Sequence, residues 1–203
     1  MKTRYVMASL IFAGFLFLNG CGSNSTGGAP GTSGSEDTGI MIRAVSIIDN
    51  DATPGDIDVN NHVCSDGKTE PINALHLERA TITIDAALIN PGFDTFPASV
   101  EECTITYKKA NEDPASPIIE QLTDYPNCPV YEEETNECVV DLIDVQRKVD
   151  YWDDFSNGLN TPAEYPTRYI AVYNCKYVNI YGESGTFQVE YGIRLADFET
   201  CSN

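Results

Sequence analysis

The stretch Pro166–Phe198, PTRYIAVYNCKYVNIYGESGTFQVEYGIRLADF, decides how this chain is read. Within it Phe187, Val189, Tyr191, Ile193 and Leu195 alternate with Gln188, Glu190, Gly192, Arg194 and Ala196. Apolar residues at every second position place one face of an extended strand against a core and the other in water. Arg168–Tyr181 is equally rich in β-branched and aromatic residues. Its alternation is less clean, which predicts a bulge or two covered faces. Gly182-Glu183-Ser184-Gly185 joins the two runs and suits a hairpin turn. A hairpin centred there sets Cys175 opposite Gly192.

Working upstream, Ile82, Ile84, Ala86 and Leu88 alternate with Thr81, Thr83, Asp85 and Ala87, and Asn90-Pro91-Gly92 ends that strand. Cys103, Ile105 and Tyr107 alternate with Thr104, Thr106 and Lys108. Met41–Ile48 predicts a first strand and Ile118–Leu122 a short one. Val139–Val149 fits two readings. Leu142, Val145, Val149 and Trp152 have helical spacing, whereas Val139, Ile143, Val145 and Val149 fit a strand interrupted by Asp141 and Arg147. The strand is preferred, followed by a helical turn near Tyr151–Phe155. About seven short strands between turn-rich loops predict an all-β, antiparallel two-sheet sandwich over residues 40–203.

The N-terminus reads as an address. Met1-Lys2-Thr3-Arg4 is basic, Tyr5–Leu18 is apolar and uncharged, and Leu18-Asn19-Gly20-Cys21 follows. That order describes a secretory signal peptide, with an apolar run too short for a membrane span. The tetrapeptide resembles the lipobox of bacterial lipoproteins. The resemblance implies cleavage after residue 20, lipidation of Cys21 and attachment of the chain to a membrane through that anchor. Gly22 after the cysteine then implies the bacterial cell envelope, at the outer membrane. Residues 21–39 hold the lipidated cysteine and a Gly/Ser-rich segment without large apolar side chains, the composition of a disordered tether. Downstream, TITIDAALINPG, CTITYKK and the opening stretch together resemble a group of uncharacterised bacterial lipoproteins with one immunoglobulin-like or fibronectin-III-like domain. The resemblance covers residues 80–198 and implies an immunoglobulin-like sandwich without implying an activity.

Charge and composition exclude several functions. The chain has 203 residues, with 31 acidic against 12 basic side chains and a net charge of −19. Such a surface repels a phosphate backbone, so no nucleic-acid partner is expected. His62 and His76 are the only imidazoles, and no GxSxG elbow, HExxH or P-loop is present. A non-catalytic role is therefore expected.

Seven cysteines leave six once Cys21 is set aside: Cys64, Cys103, Cys128, Cys138, Cys175 and Cys201. None forms a CxxC pair. An even number in an oxidising compartment predicts three disulfides, with the connectivity open. Cys128 and Cys138 are the most local pair and close the acidic segment PVYEEETNE; Cys175 and Cys201 are expected to have other partners. Asp49, Asp51, Asp56 and Asp58 crowd hard oxygen donors into one loop, a composition that suits calcium. The DxDxN at Asp56, Asp58 and Asn60 departs from an EF-hand, because Asn61 stands where glycine is needed and Gly67 where the last carboxylate belongs.

Tyr125, Tyr131, Tyr151, Trp152, Phe155 and Tyr165 fall in loops or at element ends. Tyr151, Trp152 and Phe155, interleaved with Asp153 and Asp154, are the candidate binding residues. Three functions are open. The first is a lipid-anchored binding or structural module facing an envelope protein. The second is a carbohydrate-binding or adhesion module, stabilised by calcium. The third, least favoured, is an envelope hydrolase, which needs two converging carboxylates with one pKa raised.

Overall fold

The computed structural model describes residues 31–34 (backbone only), 38–50, 53–60, 75–89, 92, 94–132 and 134–198. Cys21, Cys64, Cys201, Asp51, the signal peptide and residues 21–30 of the tether lie outside the described residues. The described residues form two packed sheets and one helix. The strands are β1 (Gly31–Gly34), β2 (Ile40–Asp49), β3 (Asp56–Asp58), β4 (Glu78–Leu88), β5 (Ala98–Lys109), β6 (Leu122–Asp124), β7 (Cys128–Val130), β8 (Asn136–Ile143), β9 (Thr167–Val178) and β10 (Ser184–Ala196). The helix α1 (Val145–Ser156) connects β8 to β9.

One sheet runs β1-β2-β4-β8, the other β3-β10-β9-β5-β6, with β7 also paired to β5. This is the immunoglobulin-like sandwich arrangement of two facing sheets. Every pairing is antiparallel except that of β3, which lies parallel to β10 with Ile57 beside Leu195. Gly55, in the left-handed region at φ 80°, turns the chain into β3 and accepts the Arg194 N–H at 2.7 Å. Gly31–Gly34, within the Gly/Ser-rich segment, pairs with β2 as an edge strand. Edge pairing uses backbone groups, so the absence of apolar side chains does not prevent it.

Alternation places Ile40, Ile42, Ala44 and Ile47 of β2, Ala80, Ile82 and Ile84 of β4, and Val189, Tyr191, Ile193 and Leu195 of β10 in a common core. Val100 and Cys103 are three residues apart, yet both face inward. A bulge between Val100 and Glu102 restores the phase. The irregularity expected in Arg168–Tyr181 thus sits in the partner strand β5; β9 pairs with β10 in continuous register.

The β9–β10 turn lies earlier than Gly182–Gly185. Asn179 is buried, and its Oδ1 accepts the N–H groups of Tyr181 and Glu183 at 2.9 Å each. Ser184 and Gly185 therefore already belong to β10, and Cys175 faces Phe187 rather than Gly192. Cys175 is bonded to Cys103, directly opposite in β5, with Cα atoms 4.0 Å apart. This disulfide joins neighbours within one sheet and does not cross the core.

Three β9 tyrosines at four-residue intervals point inward, and each phenol donates to a carbonyl elsewhere: Tyr169 to Pro117 (2.8 Å), Tyr173 to Asp141 (3.2 Å) and Tyr177 to Ile40 (3.1 Å). Burial raises the Tyr169 and Tyr173 phenols far above their ordinary range, so they remain donors at any physiological pH. Gly185 sits opposite Tyr177, and a Cβ there would lie 2.4 Å from the ring. The ring is held at its tip by Ile40 and Thr38 and cannot step aside. Gly185→Ala is expected to cost about 3 kcal/mol through overpacking. Urea denaturation checks this, and a loss under about 1 kcal/mol would show that the ring has room.

Candidate functional site

α1 begins at Val145, where the preferred reading had a strand. Asp144 caps it, its Oδ1 accepting the Arg147 N–H at 3.0 Å. Arg147 in turn ion-pairs with Asp144 Oδ2 at 2.6 Å and donates through Nε to the Glu120 carbonyl at 2.8 Å and through Nη2 to Gln121. Residues 118–121, expected as a strand, give these carbonyls to Arg147, and Ile118 is exposed; pairing with β5 starts only at Leu122.

The inner stripe of α1 is Lys148, Tyr151, Trp152 and Phe155, at helical spacing. Lys148 is fully buried and ion-paired with Glu78 Oε1; Glu78 Oε2 lies 3.0 Å from His76 Nε2. A lysine in a core position conceals the stripe from an apolar-periodicity reading, which is why the helix was read as one turn near its end.

Tyr151, expected to be an exposed binding residue, is a core side chain. It is 1% exposed and donates to Thr167 Oγ1 at 2.8 Å, and burial pushes its phenol up to about 12. Its contacts with Thr167 and the Leu195 carbonyl place α1 at the end of the sandwich where β9 begins and β10 finishes.

Trp152 and Phe155 behave differently. Both are half-buried, and they continue outward as an aromatic row. Trp152 and Phe155 have ring centroids 5.7 Å apart, and Phe155 stacks on Tyr165 at 5.0 Å with planes 15° apart. Tyr165 is 45% exposed, and its phenol oxygen accepts the Asp197 N–H at 2.6 Å. Burial and the neighbouring Asp197 and Asp58 carboxylates raise this phenol, against the backbone donor that lowers it. Leu159, 74% exposed, lies on the connection between Phe155 and Tyr165. Tyr125 and Tyr131 are exposed on other connections, before β7 and after it.

A small recess of about 40 Å³ is lined by Lys109, Asn111, Asp113, Glu164, Thr167 and Arg168. It has room for a few waters and not for a sugar ring. Most of its polar groups are bonded to each other, and Lys109 donates to the Pro114 carbonyl at 3.4 Å. Asp113 Oδ2 accepts the Ala163 N–H at 2.8 Å and Oδ1 accepts that of Ala115 at 2.9 Å, and these donors hold its carboxyl below the usual range. Glu164 pairs with Arg168 at 3.1 Å and accepts from Asn111. The recess fixes the connection that carries Tyr165.

The aspartates expected to hold calcium are partly committed. Asp49 Oδ2 accepts the Gly55 N–H at 3.2 Å. Asp56 is forked with Arg194, Nε at 2.6 Å and Nη2 at 2.7 Å. Asp58 Oδ1 accepts from the backbone of Asn60 at 3.2 Å and Phe198 at 3.3 Å. Among the described residues no three His, Cys, Asp or Glu side chains are grouped to hold a metal ion.

Asp124 and Asp141 are neighbouring carboxylates. Burial first, then the Asp124 charge, raises the Asp141 carboxyl. Asp124 Oδ2, however, accepts the Asp141 N–H at 2.9 Å, closing the seam between the β6 and β8 edges, and Asp141 pairs with Arg79 at 3.4 Å. Both acids serve the sheet edges. No protein-family model, curated protein or solved structure matches this chain.

Proposed function

We propose that this protein is a lipid-anchored module of the bacterial cell envelope, held through Cys21, that binds a partner without transforming it. The aromatic row Trp152–Phe155–Tyr165 carries the reading. It offers stacked ring surface at one end of the sandwich, and helix α1 and the connection to β9 hold it rigidly. Rigid aromatic surface with a polar margin is the composition that concentrates binding energy in contact sites. Asp154 and Asp58 near this row add hydrogen-bond acceptors. Ring faces beside carboxylates also suit the stacking and hydroxyl recognition of a sugar, so a glycan is the second reading of the ligand.

The test combines a glycan array with a pull-down from envelope extract, each with the wild-type chain and with Trp152→Ala. Phe155→Ala serves as a second probe, and circular dichroism reports the fold. Loss of binding by about tenfold or more with an intact fold is expected, equal to about 1.4 kcal/mol. Unchanged binding by both variants would remove the row from the contact surface. Metabolic labelling with an alkyne palmitate, lost on Cys21→Ser, tests the anchor separately.

A further inference from the structure

Cys128 and Cys138 lie at the seam between the two sheets. Cys128 opens β7 and pairs opposite Val100 in the six-stranded sheet, while Cys138 sits in β8 opposite Ile82, at the edge of the four-stranded sheet. Both are thiols in this structure, 8% and 1% exposed. Cys128 Sγ is 3.6 Å from the carbonyl of Glu137, the residue that precedes Cys138 in β8. The intervening loop is organised without a covalent link. Asn136 donates through Nδ2 to the carbonyls of Tyr131 (3.0 Å) and Glu134 (2.9 Å), and its Oδ1 accepts the Tyr131 N–H at 2.9 Å. The fold alone therefore brings the two cysteines together. The Cys103–Cys175 bond is the opposite case. Both of its cysteines are 0% exposed, so no reagent reaches them once the core has closed.

We propose that Cys128 and Cys138 form an oxidation site of the folded protein: a disulfide that closes after folding, through Cys128, and staples one sheet to the other across the acidic loop 129–137. The step needs an external thiol–disulfide oxidant. The Cys128 thiolate attacks that disulfide and forms a mixed disulfide as the oxidant's first thiol leaves. The Cys138 thiolate then displaces the second thiol and forms the Cys128–Cys138 bond. In total two electrons and two protons pass from the cysteine pair to the oxidant. Cys128 is the more open of the two. It is 8% exposed against 1% for Cys138, so Cys128 meets the oxidant first.

The test uses the full folded chain, exposed to a mild reductant, then to glutathione disulfide, then alkylated after denaturation and mapped by peptide mass. The expected product is a Cys128–Cys138 peptide link that forms without unfolding, with Cys103–Cys175 intact throughout. Cys138→Ser should trap glutathione on Cys128, and Cys128→Ser should leave Cys138 at least about tenfold slower to form an adduct. Two alkylated thiols at these positions after oxidation would overturn the proposal. So would a link from either cysteine to a different one, or preferential adduct formation on Cys138.

Discussion

Replacing Cys103 and Cys175 together with alanine is expected to lower the unfolding free energy by about 4 kcal/mol. The bond ties residues 72 apart in sequence, so its loss returns a long loop's worth of conformational freedom to the unfolded chain. The two residues face each other across β5 and β9 at the centre of the larger sheet, and both are fully buried. Alanine fits the inward positions, which leaves a small void as the only added native-state cost. A domain of this size has a total stability of about 5–15 kcal/mol, so the variant would sit near the margin. Urea denaturation of the variant and of the wild type, both under the same reducing condition that leaves Cys103–Cys175 intact, measures the loss. A loss under about 1 kcal/mol would mean that the reduced unfolded chain is already compact.

Lys148→Met is expected to cost about 3–5 kcal/mol. The Lys148 side chain is 0% exposed and that of Glu78 is 4% exposed. Removing the cation takes from the interior Glu78 carboxylate its buried counter-charge and leaves it the His76 imidazole at 3.0 Å, although methionine fills much of the lysine's volume. The double variant Lys148→Met with Glu78→Gln should recover most of the loss, because no buried charge is then left uncompensated. Denaturation of the two single variants and the double variant completes a cycle. Additive losses would show that the two groups do not interact. The pair also bears on the proposed contact surface. Lys148 and Tyr151 pin the inner stripe of α1, and Trp152 and Phe155 follow on the same helix. Loosening the pin is expected to disorder the aromatic row, which Trp152 fluorescence would report as a red shift.

The two tests probe different constraints on one architecture. The disulfide acts mainly through the unfolded state, whereas the ion pair acts through the native interior. The first should change stability without moving the α1 end, and the second should change both.

Strand alternation was legible in four of the five strands that run ten residues or more; in β9 it is blurred because Ala171, Val172 and Tyr173 are all buried. Phe187–Leu195, Ile82–Leu88, Cys103–Tyr107 and Met41–Ile48 all appear as inward and outward faces of β10, β4, β5 and β2. A period of two declares itself only over several repeats, and one buried face is enough to impose it. β1, β3, β6 and β7 have three or four residues each and exist because a neighbouring edge offers hydrogen bonds. No side-chain pattern could announce them. Helix α1 was masked by Lys148, whose burial depends on Glu78, 70 residues earlier in the chain. The β9–β10 turn was misplaced because a buried Asn179 side chain, tied also to the Thr38 carbonyl at 3.0 Å, outcompeted the glycines downstream.

By itself, then, the amino-acid order determined the class of this protein: two layers of strands with alternating faces, cysteines suited to pairing, and a strongly acidic composition. Those properties follow from local periodicity and from summed charge, which need no knowledge of neighbours. Only the tertiary structure decided which cysteines meet, which aspartates are committed, and that Tyr151 belongs to the core while Trp152, Phe155 and Tyr165 form a row. Each of those outcomes turns on groups distant in sequence competing for the same hydrogen bond, charge or volume, and that competition is settled only when the sheets pack.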